Sequence, residues 1–232
     1  MIELIENSLV EFGKNVWVIE GSFVKDMGLT FSTRMIVVKL SDGMIWICDP
    51  VKISENAQKS IEKIGEIKYL IASTQRHIWR LNSWHKQFPN AELWSCGNIP
   101  KKLKKLPYKG ILSNTSIWDN DFEQIIFEGN KYLSEMVFYH KVSKTIFMGD
   151  IIQNNVKIKG RPFTNFIFWL SGAAYPNGGV GLDLRLTFTD KNRTRKSLDH
   201  ILSWDFDKLI IAHGPCVTEN AKEYVKRAFN WL

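Results

Sequence analysis

The stretch Tyr69-Leu70-Ile71-Ala72-Ser73-Thr74-Gln75-Arg76-His77 decides how this chain is read. Ile67 to Ala72 is a short apolar run with the length of a buried strand. It passes into polar residues and reaches a histidine. Two later segments have the same form. Ile146-Phe147-Met148 runs into Gly149-Asp150, and Leu209-Ile210-Ile211-Ala212 runs into His213-Gly214. In layered α/β folds, ligands bind beyond the carboxyl ends of strands, where loops converge without disturbing the core. Two imidazoles and one carboxylate meeting there suit a single Zn²⁺, Fe or Mn²⁺ ion. A histidine after a strand more often ties down a loop, so the argument rests on the three together: His77, Asp150 and His213.

The surrounding elements follow from periodicity. Val16 to Ile19 is a short strand. Arg34 to Leu40 and Met44 to Cys48 flank Ser41-Asp42-Gly43, a hairpin signal. Ser54 is placed to cap a helix with Ala57, Ile61 and Ile64 on its apolar face and Gly65 as its stop. Leu81, Trp84, His85 and Phe88 recur at helical spacing, which makes His85 a core histidine. Pro89-Asn90 ends that helix, and Ala91 to Ser95 is the next strand. Pro100 to Leu106 reads as a short basic helix or loop. Phe122 to Phe127 is a strand, and Glu135 to His140 pairs with Lys144 to Met148 through a turn at Val142-Ser143. His140 closes its strand and His200 sits in an ordinary helix; neither is assigned to a site. Asp190 caps a helix carrying Leu198, Ile201 and Leu202. Lys208 to Ala212 is a strand, and Thr218 is placed to cap a last helix with Ala221, Val225 and Phe229.

Each half thus runs antiparallel strands first and β-α units after. The expected class is α/β (α+β), a four-layer αββα sandwich of two sheets with helices outside. Residues 1–232 read as one domain. Residues 151–189, rich in aromatics such as Phe163, Phe166, Phe168, Trp169 and Tyr175, read as an insertion over one edge.

Composition sets the class. A chain of 232 residues with 44% apolar and 24% charged residues can bury a large core without disulfides. Cys48, Cys96 and Cys216 fit no zinc-knuckle spacing and read as free thiols of a reducing compartment. No apolar run reaches the roughly 18 residues that span a bilayer. The first residues lack the basic and apolar regions of a signal peptide, so a cytoplasmic protein is expected. The net charge is +7, with clusters at Lys101, Lys102, Lys104, Lys105 and Lys109 and at Lys191, Arg193, Arg195 and Lys196. Such clusters attract nucleic acid or anionic membrane, although a solvated face is their commoner meaning.

The order of elements, with Thr74, Gly149-Asp150 and Ala212-His213-Gly214, resembles the metallo-β-lactamase superfamily. It is more closely similar to the DUF4336 branch. The markers of that branch are Arg34-Met35-Ile36-Val37-Val38 with Leu40-Ser41-Asp42-Gly43, His77 with Trp84 and Phe88-Pro89-Asn90-Ala91, Glu135-Met136-Val137-Phe138-Tyr139-His140, and Ser203-Trp204-Asp205-Phe206-Asp207. In the superfamily one strand ends in T-H-x-H-x-D-H, which supplies most ligands for two metals. The matching stretch here is Thr74-Gln75-Arg76-His77-Ile78-Trp79-Arg80. Gln75 replaces the first histidine, Trp79 the aspartate and Arg80 the last histidine. A later superfamily histidine falls near Asn130. Asp150 resembles the bridging aspartate and His213 the final histidine.

The resemblance implies a hydrolase-like protein with an eroded site. One metal would lie on His77, Asp150 and His213, with Asp150 as the catalytic group that orients or deprotonates water. Trp79 and Arg80 would line the binding pocket, with Trp79 filling the vacated space and Arg80 free to pair with Asp150. A small ester, lactone or phosphoester is the implied substrate. Two alternatives stay open: a metal-free pseudoenzyme that binds a small molecule or a partner, and a nucleic-acid-binding protein. A homodimer is also left open.

Overall fold

A computed structural model describes residues 6–97, 99 and 104–232. Lys101, Lys102 and the first half of the basic stretch from Pro100 lie outside the described residues.

The first half holds β1 (Leu9–Gly13), β2 (Val16–Asp26), β3 (Leu29–Lys39), β4 (Ile45–Cys48), α1 (Glu55–Glu62), β5 (Ile67–Ala72), a 3₁₀ turn (His77–Arg80), α2 (Leu81–Gln87), β6 (Glu92–Ser95) and β7 (Tyr108–Ile111). The second holds β8 (Phe122–Phe127), β9 (Glu135–His140), β10 (Thr145–Met148), α3 (Pro162–Ser171), α4 (Leu182–Arg185), α5 (Lys191–Ser203), β11 (Lys208–Ile211) and α6 (Ala221–Ala228). One sheet runs β1-β2-β3-β4-β5-β6-β7 in chain order, and the other runs β11-β10-β9-β8. β4 to β7 are parallel neighbours, as are β10 and β11.

Side-chain alternation builds the layers. Ile36, Val38, Trp46 and Cys48 face the space between the sheets, where they meet Phe122, Met136, Phe138, Phe147 and Ile210. Their alternates Met35, Val37, Ile45 and Ile47 face outward and pack with Ala57, Ile61, Leu81 and Trp84 of α1 and α2. On the other sheet Val137, Tyr139, Ile146, Met148, Leu209 and Ile211 face Ile201 of α5 and Val225 of α6. Both faces of the central strands are covered, which is why β4, β9 and β10 are buried at every residue. Trp46 centres the inter-sheet layer, 4.8 Å from Phe122 and 5.0 Å from Phe138 between ring centroids. Burying one such side chain contributes about 1.5–3 kcal/mol. The expected αββα sandwich is therefore the observed architecture.

Local expectations fare unevenly. Ser54 Oγ accepts the Ala57 N–H at 3.2 Å, and Asp190 accepts the Arg193 N–H at 3.0 Å, so both caps form as read. Thr218 does not cap the last helix. Leu209 and Val217 exchange two backbone hydrogen bonds of 2.9 Å, which keep the chain extended through Val217. The helix starts only after Asn220, a left-handed residue at φ 56°. β2 runs seven residues past the expected Ile19, because it pairs with β3 out to Asp26 and Leu29. That outer hairpin buries no face at Ser22 to Asp26, so no hydrophobic alternation announces it. β7 carries no such pattern either; it is an edge strand with no fully buried residue. Residues 151–189 contain α3 and α4, and Phe168 of α3 packs 5.2 Å from Phe31 of β3.

Candidate metal centre

Four of the strands that end at one edge of the sandwich carry the site. β4 delivers Asp49, β5 delivers Ser73, Thr74 and His77, β10 delivers Gly149 and Asp150, and β11 delivers His213. Parallel pairing sends the carboxyl ends of β4 and β5 the same way, and likewise those of β10 and β11. The loops of the two sheets meet at Gly149, where an added Cβ would lie 2.9 Å from Thr74 Cγ2 and 3.1 Å from Ser73 Oγ.

The three expected residues come together. His77, Asp150 and His213 each bring one ligand atom within 4.8 Å of the others, a set able to hold a metal ion. Nε2 of His213 lies 3.1 Å from Asp150 Oδ1, and Nε2 of His77 lies 3.3 Å from the same oxygen. The other nitrogen of each ring is held from behind. His213 Nδ1 is 2.7 Å from the Ser32 carbonyl. His77 Nδ1 is 2.9 Å from Asp49 Oδ2. That contact is not aligned as an N–H hydrogen bond. It is an electrostatic contact, since charge attraction does not depend on the N–H angle. Metal-ligating histidines usually rest their outer nitrogen on a carboxylate or a carbonyl in this way.

Further groups fix the carboxylates. Thr74 Oγ1 donates to Asp150 Oδ2 at 2.9 Å. Ser73 donates to Asp49 through its N–H at 2.8 Å and its hydroxyl at 2.6 Å. Glu135 accepts the backbone N–H groups of Gly149, Asp150 and Ile151 at 2.7, 2.8 and 3.0 Å. Arg34 is buried; it pairs with Glu20 at 2.5 Å and donates to the Ile211 carbonyl, bracing β3 against the end of β11.

Electrostatics follow the geometry. Burial opposes the charged form of His77, but the Asp150 and Asp49 carboxylates outweigh it and hold its pKa well above the ordinary imidazole value. Burial also opposes the charge on Asp150, yet His77 and His213 hold its carboxyl well below the usual range. Glu135 is pushed up to about 8 by burial and the nearby Asp150 charge, against the pull of its three N–H donors.

A cleft of about 730 Å³ opens at the centre, with Asp49, His77, Asp150 and His213 among its lining. Phe23, Lys25, Phe31, Lys52, Arg76, Trp79 and Arg80 line it too. Arg80 does not pair with Asp150, whose oxygens are occupied by Thr74 and the two imidazoles. Trp79 does not fill a vacated space; it is 65% exposed on the wall. The 3₁₀ turn is the cause of both placements: Ile78 takes the core position, which leaves Trp79 and Arg80 on the solvent side.

The other motif positions serve the backbone. Gln75 accepts the Ser134 N–H at 2.8 Å and donates to the Tyr132 carbonyl. Asn130 accepts the N–H groups of Tyr132 and Leu133 at 2.9 and 2.8 Å. His140 is buried beside Ser143, away from the centre. His85 is only half-buried, and its Nδ1 has no partner among the described residues, so it is not a satisfied core histidine. Sequence reading overlooked Asp49, Ser32 and Glu135. Asp49 carried the same signal as the others, an acidic residue directly after the apolar run Ile45-Trp46-Ile47-Cys48. Ser32 and Glu135 lie within or at the start of strands and give no such signal.

The chain is similar to solved structures of metallo-β-lactamases. With a DIM-1 metallo-β-lactamase exposed to ceftazidime it shares 17% identity at a TM-score of 0.66, over 99% of this chain and 100% of the other. With the metallo-β-lactamase FIM-1 from Pseudomonas aeruginosa, in its mono-zinc form, the values are 10% and 0.61, over 98% and 96%. The metal-soaked Flv1 flavodiiron core from Synechocystis sp. shares 13% identity at a TM-score of 0.64, over 97% of this chain and 60% of that one. No curated protein sequence matches significantly. These likenesses establish the fold, and the family model described as a domain of unknown function, DUF4336, matches residues 14–162, so this chain of metallo-β-lactamase fold belongs to the DUF4336 family.

Proposed function

We propose that this protein is a hydrolase-like member of its fold that holds one metal ion on His77, Asp150 and His213 and acts on a small anionic ester, lactone or phosphoester. One observation carries the reading: two imidazole Nε2 atoms face a single carboxylate oxygen, while Asp49 and Ser32 hold the rings from behind. A bound Zn²⁺, Fe or Mn²⁺ ion would supply Lewis acidity there. The residues supply the rest. Asp150, fixed by Thr74 and by Glu135 through its backbone, is placed to orient a water beside the ion. Among the described residues, Arg80, Lys52 and Lys25 on the cleft walls have no acidic partner within ion-pair distance, which favours an anionic substrate. Asp26 is already engaged by Arg76 at 3.1 Å.

Metal analysis after reconstitution with Zn²⁺, Fe²⁺ or Mn²⁺ tests the proposal. One ion per chain is expected, lost in His213→Ala and Asp150→Asn variants that still fold. Failure of all three metals to bind stoichiometrically removes the reading.

A metal-free binding protein is the second reading. Gln75 and Asn130 are spent on backbone ties, and Asp150 is satisfied without an ion. Binding of an anionic small molecule by metal-free protein, with no ion taken up, would favour it. A nucleic-acid role has less support, because Arg193 lies 3.5 Å from Asp190 and Arg195 donates to the Leu232 carbonyl.

A further inference from the structure

Among the described residues, nothing covers an apolar stripe on helix α3. Phe163, Phe166, Trp169 and Leu170 are between 54% and 68% exposed. They stand at i, i+3, i+6 and i+7, the same side of a ten-residue helix. The opposite side is anchored: Thr164 and Phe168 are buried, with Phe168 against Phe31. Contiguous exposed aromatic surface of this kind marks a contact site.

The flanking charge is one-sided. From Ile151 to Leu182 the chain has no Asp or Glu, while Lys157, Lys159 and Arg161 stand exposed directly before the helix. We infer that α3 and these three cations form a docking face for an anionic membrane surface. The helix is about 15 Å long at 1.5 Å per residue, half of a bilayer core, so it would lie in the interface rather than cross. Among the described residues no helix is long and apolar enough to span a membrane. Phenylalanine and tryptophan settle at the headgroup boundary, and lysine and arginine beside them attract anionic lipid. A second copy of the chain fits less well. A two-fold contact would bring the same three cations toward their counterparts with no acidic residue of this segment to meet them. Docking would set the candidate centre close to the lipid, because Phe31 touches Phe168 on one side and His213 on the other, at 5.2 Å each. The inference stands independently of whether a metal binds.

Co-sedimentation of the full chain with phosphatidylcholine vesicles, with and without phosphatidylserine, tests it. The wild-type protein is expected to partition onto the anionic vesicles only. Each cation near such a surface changes partitioning roughly fivefold, so Lys157→Gln, Lys159→Gln and Arg161→Gln together should weaken it about a hundredfold. Phe166→Ser with Trp169→Ser should weaken it about tenfold or more. These side chains lie outside the core, so thermal unfolding of both variants should match wild type. No preference for anionic vesicles, or variants that bind as wild type does, overturns the proposal. So does a concentration-dependent dimer that Phe166→Ser with Trp169→Ser dissociates, which assigns the patch to a second copy.

Discussion

Asp49 Oδ2 lies 2.9 Å from Nδ1 of His77, and the same carboxylate accepts both the N–H and the hydroxyl of Ser73. One side chain after β4 therefore ties the end of β5 and sets the ring that faces Asp150. Asp49 holds this post in a left-handed conformation, φ 54°, which aspartate tolerates better than most residues. Asp49→Ala leaves the buried Ser73 N–H unpaired and His77 without its rear contact. A loss of about 2–4 kcal/mol is expected in guanidinium unfolding. Metal affinity by titration should fall roughly 10–100-fold. Unchanged affinity in a folded variant would show that Asp49 does not position His77.

Glu135 governs the Asp150 loop in the same way. Its two oxygens accept three successive N–H groups, from Gly149 to Ile151. Glu135→Gln replaces one oxygen with an NH₂ group that faces these backbone N–H donors and cannot accept from them. This should cost about 1–3 kcal/mol and loosen Asp150, seen as lower melting temperature and weaker metal retention. A variant as stable as wild type would mean that water replaces the lost bonds.

His140 gives the stability a pH dependence separate from the centre. Burial lowers its pKa from the ordinary 6.5 to about 4, and the Asp121 charge offsets only part of that. The unfolded chain binds a proton below about 6.5 that the folded chain refuses until about 4. Its contribution is therefore complete above pH 6.5 and is lost as the pH falls through that window, about 3 kcal/mol in all. The measurement is the difference in unfolding free energy between wild type and His140→Gln, taken at neutral pH and near pH 4. If that difference is the same at both, the imidazole is not buried neutral.

Gly149 sets how closely the two sheets approach at the centre. A methyl group there meets Thr74 Cγ2 at 2.9 Å and Ser73 Oγ at 3.1 Å, and His77 Cε1 lies 3.4 Å away. Gly149→Ala should cost about 1–3 kcal/mol of overpacking strain and spread His77 from Asp150. Equal stability and equal metal binding would show that the edge has slack.

The amino-acid sequence determined what depends on near neighbours and on period. Alternation at Met35-Ile36-Val37-Val38 and at Trp46-Ile47, the caps at Ser54 and Asp190, and apolar runs ending in His77, Asp150 and His213 are all local, and they suffice for two sheets with helices outside. Tertiary structure decided what depends on distant segments meeting. Ser32 supports His213 across 181 residues, and Thr74 reaches Asp150 across 76. The stacking of the sheets sets those meetings, and no local pattern encodes them. For the same reason Arg80 stands on the cleft wall while Asp150 turns to Thr74 and two imidazoles, and Thr218 yields the helix start to Asn220 because Val217 is held by Leu209. A hydrophobic period reports burial through a free energy summed over many side chains. A polar contact is directional, and its partner is known only once the chain has folded.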